Sequence, residues 1–150
     1  MKEYKSHISE ITLKYKSGDI KKVQLKSSRD AADYMKLMFD ADSMEIMESF
    51  IVLYLNRSNN SIGWLKVSQG GISGTVVDVR LVLATALKCG ASGMIVSHNH
   101  PSGNTNPSDS DVRLTRKIKE SGTIMDIQLL DHLILTESGD YYSFADEGML

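Results

Sequence analysis

The sequence predicts an α/β domain in which helices lie on both faces of a mixed β-sheet. Two observations support this prediction. Continuous apolar segments, typical of strands buried on both faces, alternate along the chain with segments whose apolar residues recur at helical spacing. The chain has 150 residues, of which 41% are hydrophobic, and this is enough for the core of one domain. We expect a main domain over residues 43–150 and a small N-terminal extension over residues 1–42.

The predicted extension consists of a β-hairpin followed by one helix. Residues 8–15 and 20–25 alternate between apolar and polar side chains, and Ser17-Gly18-Asp19 between them is typical of a turn. Ser28 could cap a helix over residues 29–39, where the apolar side chains follow helical spacing.

The first half of the main domain is expected to contain two strands and a helix. Residues 49–55 are almost entirely apolar, and a polar turn separates them from a second strand over residues 62–67. A loop over residues 69–74 leads to a helix that Asp78 caps and Gly90 ends.

The second half continues the alternation of strands and helices. A strand is predicted from residue 93 to His98, and a helix from about residue 109 to 120, ending near Gly122. The remaining apolar segments predict short strands over residues 124–130, 132–135 and 141–144.

Composition argues against several classes of function. The net charge is −2, with 17 basic and 19 acidic residues, whereas proteins that bind nucleic acid or anionic membranes usually carry a basic excess. The N-terminus lacks the apolar core of a signal peptide, and no apolar segment is long enough to span a bilayer. We therefore expect a cytoplasmic protein with no membrane partner. The single cysteine, Cys89, allows no internal disulfide and is expected to pack in the core.

Two histidines at the end of a predicted strand indicate a metal site. His98 and His100 are two residues apart, so an extended chain presents both imidazoles on one face. Zinc binds histidine nitrogen and aspartate oxygen, and a catalytic zinc keeps one position open for water. With Asp111 as a third ligand, these residues would leave that position free. His7 and His132 lack such a setting; we expect a surface role for His7 and a core or hydrogen-bonding role for His132.

Asp111 and Ser108 also have a purely structural interpretation. Ser108-Asp109-Ser110-Asp111 fits a capping box, in which Ser108 caps the helix and Asp111 bonds back to the Ser108 backbone. The fourth residue of this box is usually Glu or Gln, and Asp reaches back less well. A helix start can nevertheless orient both residues while Asp111 points at a metal.

Metal-assisted hydrolysis also needs a group that accepts and returns a proton. A carboxylate near the metal can serve, without being a ligand itself. Glu48 is the best candidate because it stands at the start of a buried apolar strand, although spacing alone does not separate it from Glu45.

The central motif resembles a known family. His98-x-His100, followed after seven residues by Ser108 and after two more by Asp111, is similar to the JAMM signature of JAB/MPN-domain metalloproteases. The wider segments Ser97–Gly103 and Leu130–Ile134 resemble the RadC-like branch. The resemblance implies an MPN/JAB-like, cytidine-deaminase-like fold. It also implies one zinc per chain held by His98, His100 and Asp111, with Glu48 as general acid/base and Ser108 stabilising the oxyanion.

Two functions from different classes follow as hypotheses. The first is a zinc metallopeptidase that cleaves a peptide or an isopeptide-linked protein. The alternative is a non-catalytic binding module associated with DNA repair, a label that only the resemblance carries and that the net charge does not favour. The sequence identifies neither the substrate nor the oligomeric state.

Overall fold

The computed structural model describes residues 9, 11–18, 21–71 and 74–150. These residues form a single α/β domain with a five-stranded mixed sheet and three helices, which confirms the predicted fold class. The elements are α1 (Ser28–Lys36), β1 (Ser49–Leu55), β2 (Ser61–Gln69), α2 (Val79–Cys89), β3 (Gly93–Asn99), α3 (Asp109–Ile124), β4 (Gln128–Leu135) and β5 (Tyr141–Ser143).

The sheet has the strand order β2-β1-β3-β4-β5. β3 and β4 are parallel, and every other neighbouring pair is antiparallel. The parallel pair requires a crossover, and α3 supplies it. The central strands β1 and β3 are buried along their whole length, which explains why β1 is apolar without alternation.

Two apolar clusters cover the opposite faces of this sheet. On one face Ile51, Leu53 and Leu55 of β1 pack with residues of α1, among them the fully buried Met35. On the other face, alternate β1 residues pack with α2 and α3: Phe50, Val52 and Tyr54. Because side chains alternate along a strand, each position on β1 and β3 is assigned to one of these two sides.

The helix ends agree with the sequence in part. Asp78 caps α2 through the backbone N–H of Arg80, and Gly90 ends it in the left-handed conformation with φ 67°. The cap of α1 is Ser27 rather than Ser28, and the Ser28 hydroxyl bonds to Asp146 instead. Two adjacent serines are equally good caps, so the sequence did not distinguish them.

α3 continues past the end predicted near Gly122. A Cβ at Gly122 would lie 2.4 Å from the carbonyl oxygen of Ile127, so this glycine allows the chain entering β4 to pass close to the helix. The predicted strands 124–130 and 132–135 are one strand, β4, and its pairing with β3 shifts register beside Leu130. Residues 124–127 instead end α3 and turn, with Asp126 at φ 56°.

The expected N-terminal hairpin is not formed by the described residues. Residues 11–18 and 21–25 contain no strand, and Gln24 makes a single bridge to Asn60. Nearly all of these side chains are exposed, and an isolated two-stranded hairpin without an apolar face to bury is marginal in water. His7, Ile8 and residues 19–20 lie outside the described residues.

Two further expectations from the sequence concern Cys89 and membrane-spanning segments. Cys89 is partly buried at the edge of the cluster on the α2 and α3 side. Within the described part of the chain, no helix combines the length and the apolar character needed to cross a membrane.

Candidate functional site

The pairing of β1 with β3 brings Glu48 next to the two histidines. Phe50 lies opposite His98 in this antiparallel pair, and the same register two residues further places Glu48 beside His100. The Phe50 and His98 rings stack with centroids 6.2 Å apart. Residues far apart in the sequence therefore meet because the two buried strands pair in this register.

Three side chains converge closely at the end of β3. The Nε2 atoms of His98 and His100 are 3.0 Å apart. Asp111 adds its carboxylate, with Oδ1 3.3 Å from His98 Nε2 and Oδ2 3.6 Å from His100 Nε2. The sequence prediction that His98, His100 and Asp111 approach one another thus agrees with their positions.

The proton on His100 can be assigned from its surroundings. Its Nδ1 lies 2.6 Å from the backbone carbonyl of Asn104, which can only accept a hydrogen bond. Nδ1 therefore carries the proton, and in the neutral ring Nε2 presents a lone pair toward His98 and Asp111. A lone pair in this position is what a metal ligand requires.

Asp111 and Ser108 also form the capping box that the sequence allowed. The Ser108 hydroxyl accepts a hydrogen bond from the Asp111 backbone N–H at 3.1 Å, and the Asp111 Oδ2 accepts one from the Ser108 N–H at 2.8 Å. Asp111 thus caps α3 and still faces both histidines. The two interpretations of this residue are compatible, since Oδ2 accepts the cap bond while Oδ1 lies 3.3 Å from His98 Nε2.

The charges of Asp111 and His100 are coupled. Burial alone would raise the pKa of Asp111, but the neighbouring imidazoles of His100 and His98 outweigh it and hold this pKa far below its usual range. The Asp111 carboxylate in turn raises the pKa of His100 against the effect of burial. Asp111 is therefore an anion at any ordinary pH, and it favours a positive charge beside it.

Glu48 stands at the edge of this group. Its Oε1 lies 3.9 Å from His100 Nε2. Glu48, His98 and His100 each offer one ligand atom within 4.8 Å of the others, so this cluster could also hold a metal ion. The contacts of Asp111 with the histidines, at 3.3 and 3.6 Å, are shorter than the 3.9 Å contact of Glu48.

A glycine-containing segment packs against Glu48. The Gly70 N–H donates to the Glu48 carbonyl at 2.8 Å, and a Cβ at Gly74 would lie 3.6 Å from Glu48 Oε2. A Cβ at Gly70 would come within 1.9 Å of the Gly74 carbonyl oxygen, so only glycine fits there. The backbone on this side of Glu48 is therefore closely packed.

Asn99 fixes the segment that leads into Glu48 from the opposite side of β3. Its Nδ2 donates to the carbonyls of Met44 and Met47 at 2.7 and 2.8 Å, and its Oδ1 accepts from the Ser49 N–H at 2.8 Å. The side chain is buried, and every one of these bonds goes to the chain flanking Glu48. Asn99 thus holds in place the segment that precedes β1.

We expect Asn99→Ala to lower the free energy of unfolding by about 2–4 kcal/mol, because it leaves two buried backbone groups and one partly buried group without a partner. Urea denaturation followed by circular dichroism measures the change. Asn106→Ala, at an exposed position in the following loop, is the control and should change stability by less than about 0.5 kcal/mol. An unchanged unfolding midpoint for Asn99→Ala would refute this role.

His132 and Thr115 lie behind the site, and both are buried. His132 Nε2 is 2.8 Å from His98 Nδ1, and His132 Nδ1 is 2.6 Å from the Thr115 hydroxyl. Burial, and next the neighbouring His98, hold the pKa of His132 well below its usual value, so this imidazole is neutral. His132 thus has the hydrogen-bonding role expected of it.

The site opens into a cavity of about 1200 Å³. Its lining includes the carboxylates of Glu45, Glu48 and Asp111, the hydroxyl of Ser108 and the apolar Leu114. None of the described residues that line it is a lysine or an arginine. The cavity is thus electronegative apart from its two histidines.

Sequence reasoning did not identify the contributions of Asn99 and Thr115. Asn99 stands between the two histidines, and the alternation of side chains along β3 turns it to the other face of the strand. The sequence does not show which backbone groups it meets on that face. Thr115 is four residues after Asp111 and therefore on the same side of α3, which is the signal that could have drawn attention to it.

Known proteins are similar to most of this chain. The model of the RadC-like JAB domain matches residues 25–149. A UPF0758 protein of Flavobacterium johnsoniae is 47% identical over 93% of this chain and 60% of its own length. A UPF0758 protein of Aquifex aeolicus is 36% identical over 94% of this chain and 58% of its own length. One from Porphyromonas gingivalis is 45% identical over 69% of this chain and 45% of its own length. The chain thus spans about half the length of the curated relatives it matches.

Proposed function

Since the chain belongs to the RadC-like JAB domain family, we propose that it is a zinc-dependent hydrolase of peptide or isopeptide bonds. His98, His100 and Asp111 are the proposed ligands of one zinc ion per chain. Glu48 is the proposed general acid/base, and Ser108 the proposed donor to the oxyanion.

The spacing of the proposed ligand atoms is the observation that carries this proposal. In a tetrahedral zinc site with bonds of about 2.0–2.1 Å, neighbouring ligand atoms lie roughly 3.3 Å apart. The three distances here are 3.0, 3.3 and 3.6 Å, although the two that involve Asp111 use different oxygens. Two nitrogens and a carboxylate suit zinc, and three protein ligands leave the open position of a catalytic site.

Zinc, when bound, would lower the pKa of a water molecule to about 7 and polarise a carbonyl group. In this proposal Glu48 accepts a proton from water and returns it to the leaving amine. The position of its Oε1, 3.9 Å from His100 Nε2, supports this role. The Ser108 hydroxyl accepts the Asp111 N–H, so its own hydrogen remains free to donate toward the cavity that it lines.

The charge of the cavity supports an amide rather than a nucleic-acid substrate. Phosphate groups are usually held by arginine and lysine. The described lining contains three carboxylates and neither of those residues, which would repel a phosphodiester. The same observation speaks against a DNA-binding module that would use this cavity.

We predict that the purified chain holds about one zinc ion and that its hydrolytic activity depends on that ion. A pool of quenched peptides and a pool of lysine-linked isopeptides would be screened with the zinc-loaded protein. Removal of zinc by a chelator should abolish the hydrolysis that is found, and zinc should restore it.

Hydrolysis that continues at its full rate in the zinc-free protein would contradict the proposal. Salt-dependent DNA binding that survives the removal of zinc, together with no cleavage of either pool, would favour the binding module instead.

A further inference from the structure

We propose that Thr115 and His132 form a positioning device that holds the His98 imidazole with its proton on Nδ1 and its lone pair on Nε2. This inference rests on the proposed zinc site and adds to it two residues that touch neither metal nor substrate. Both are buried; Thr115 is on α3 and His132 is on β4.

The chain of hydrogen bonds begins at the backbone of Asp111. The Thr115 hydroxyl lies 2.6 Å from the Asp111 carbonyl oxygen, which can only accept. A threonine hydroxyl inside a helix commonly donates to the carbonyl four residues earlier. With its one hydrogen used in this way, the Thr115 oxygen can only accept at its second contact, with His132 Nδ1 at 2.6 Å.

The direction of the first bond then determines the others. His132 Nδ1 donates to Thr115, so Nε2 of the neutral ring carries a lone pair. That lone pair, 2.8 Å from His98 Nδ1, accepts the His98 proton. The remaining nitrogen, His98 Nε2, is left without hydrogen and faces His100 and Asp111, as a metal ligand must.

The opposite direction would be incompatible with metal binding. If Thr115 donated to His132, then His132 would donate to His98 Nδ1. The His98 proton would then sit on Nε2, in the position that the zinc ion needs. The orientation of one buried hydroxyl therefore decides whether His98 presents a lone pair or a hydrogen to the site.

The packing around His132 holds its ring in this orientation. The ring stacks on Phe144 with centroids 4.7 Å apart and makes a T-shaped contact with Phe50 at 5.7 Å. The backbone N–H of His132 donates to the buried Asp131 carboxylate at 2.7 Å. Because these aromatic contacts restrict the ring's orientation, Thr115 is needed mainly to select one of the two tautomers of His132.

The test compares Thr115→Val with Thr115→Ser in the full chain. Valine keeps the shape and removes the hydroxyl, whereas serine keeps the hydroxyl. We expect zinc affinity, measured by competition with a chromophoric chelator, to fall about 10- to 100-fold in Thr115→Val, the usual effect of losing a partner of a ligating histidine. Thr115→Ser should stay within about 3-fold of the parent, because its hydroxyl retains both contacts.

A second measurement observes the ring nitrogens directly. Nitrogen-15 NMR of the zinc-loaded parent protein distinguishes protonated from unprotonated ring nitrogens. In the parent protein we expect His98 and His132 both to carry hydrogen on Nδ1. In Thr115→Val we expect His132 to be a mixture of its two tautomers.

Hydrogen on His132 Nε2 in the zinc-loaded parent, or equal zinc affinity in the two variants, would overturn the inference alone. If the parent itself binds no zinc, the inference and the proposed function both fail. The two failures are therefore distinguishable.

Discussion

Asp111→Ala is expected to weaken zinc binding by more than about 100-fold, because a lost ligand costs more than the 10- to 100-fold typical of a lost partner of a ligand. Asp111 is the proposed anionic ligand, and its oxygens lie 3.3 and 3.6 Å from the two histidine nitrogens. Metal analysis after dialysis, followed by competition titration, measures the change.

The control for this variant separates the metal from the helix cap. Asp111→Ala also removes one arm of the capping box, and Ser108→Ala removes the other arm without removing a proposed ligand atom. Each loss should cost about 1 kcal/mol of stability, but only Asp111→Ala should release zinc. Full zinc retention in Asp111→Ala would mean that Glu48 completes the site with the histidines, the other arrangement that the geometry allows.

Glu48→Gln is expected to keep the zinc and to lower the turnover of a validated substrate by at least about 100-fold, the lower end of what general acid–base catalysis contributes. Glutamine has nearly the same shape but cannot accept and return a proton. The two readouts are zinc stoichiometry and the rate of hydrolysis at saturating substrate.

Glu45→Gln is the matched control because Glu45 is another carboxylate that lines the same cavity. It should leave turnover within about 2-fold, since it has no proposed part in proton transfer. A fully active Glu48→Gln would exclude Glu48 as the base. Loss of zinc from Glu48→Gln would instead make Glu48 a ligand.

The central strands could be predicted from the sequence because their burial leaves a strong pattern. β1 is continuously apolar, and the structure buries every one of its residues. The start of α3 was equally clear, since Ser108 and Asp111 have the spacing of a capping box. These features depend on local chemistry, and local chemistry can be read from neighbouring residues.

Features that depend on distant partners were predicted poorly. The alternating residues 11–15 and 21–25 suggested a hairpin. These residues form no strand in the structure, and their pairing is limited to the single bridge from Gln24 to Asn60. Gly122 suggested a helix end, whereas its lack of a side chain serves the close passage of Ile127. Neither contact leaves a trace in the neighbouring sequence.

The candidate site shows the same division. Spacing alone suggested that His98, His100 and Asp111 converge, but it left Glu45 and Glu48 open. The choice of Glu48 came from resemblance, and the register of β1 against β3 brings this residue next to His100. The bonds of Asn99 and of Thr115 needed the tertiary structure, because each joins segments that are distant in the chain or on facing elements.

A crystal structure of the zinc-soaked protein, with anomalous diffraction recorded on both sides of the zinc absorption edge, tests the central claim most directly. We predict one zinc ion per chain bound by His98 Nε2, His100 Nε2 and an oxygen of Asp111 at about 2.0–2.2 Å, with the fourth position free of protein atoms. An ion coordinated by Glu48 in place of Asp111, or no anomalous peak among these residues, would contradict the account.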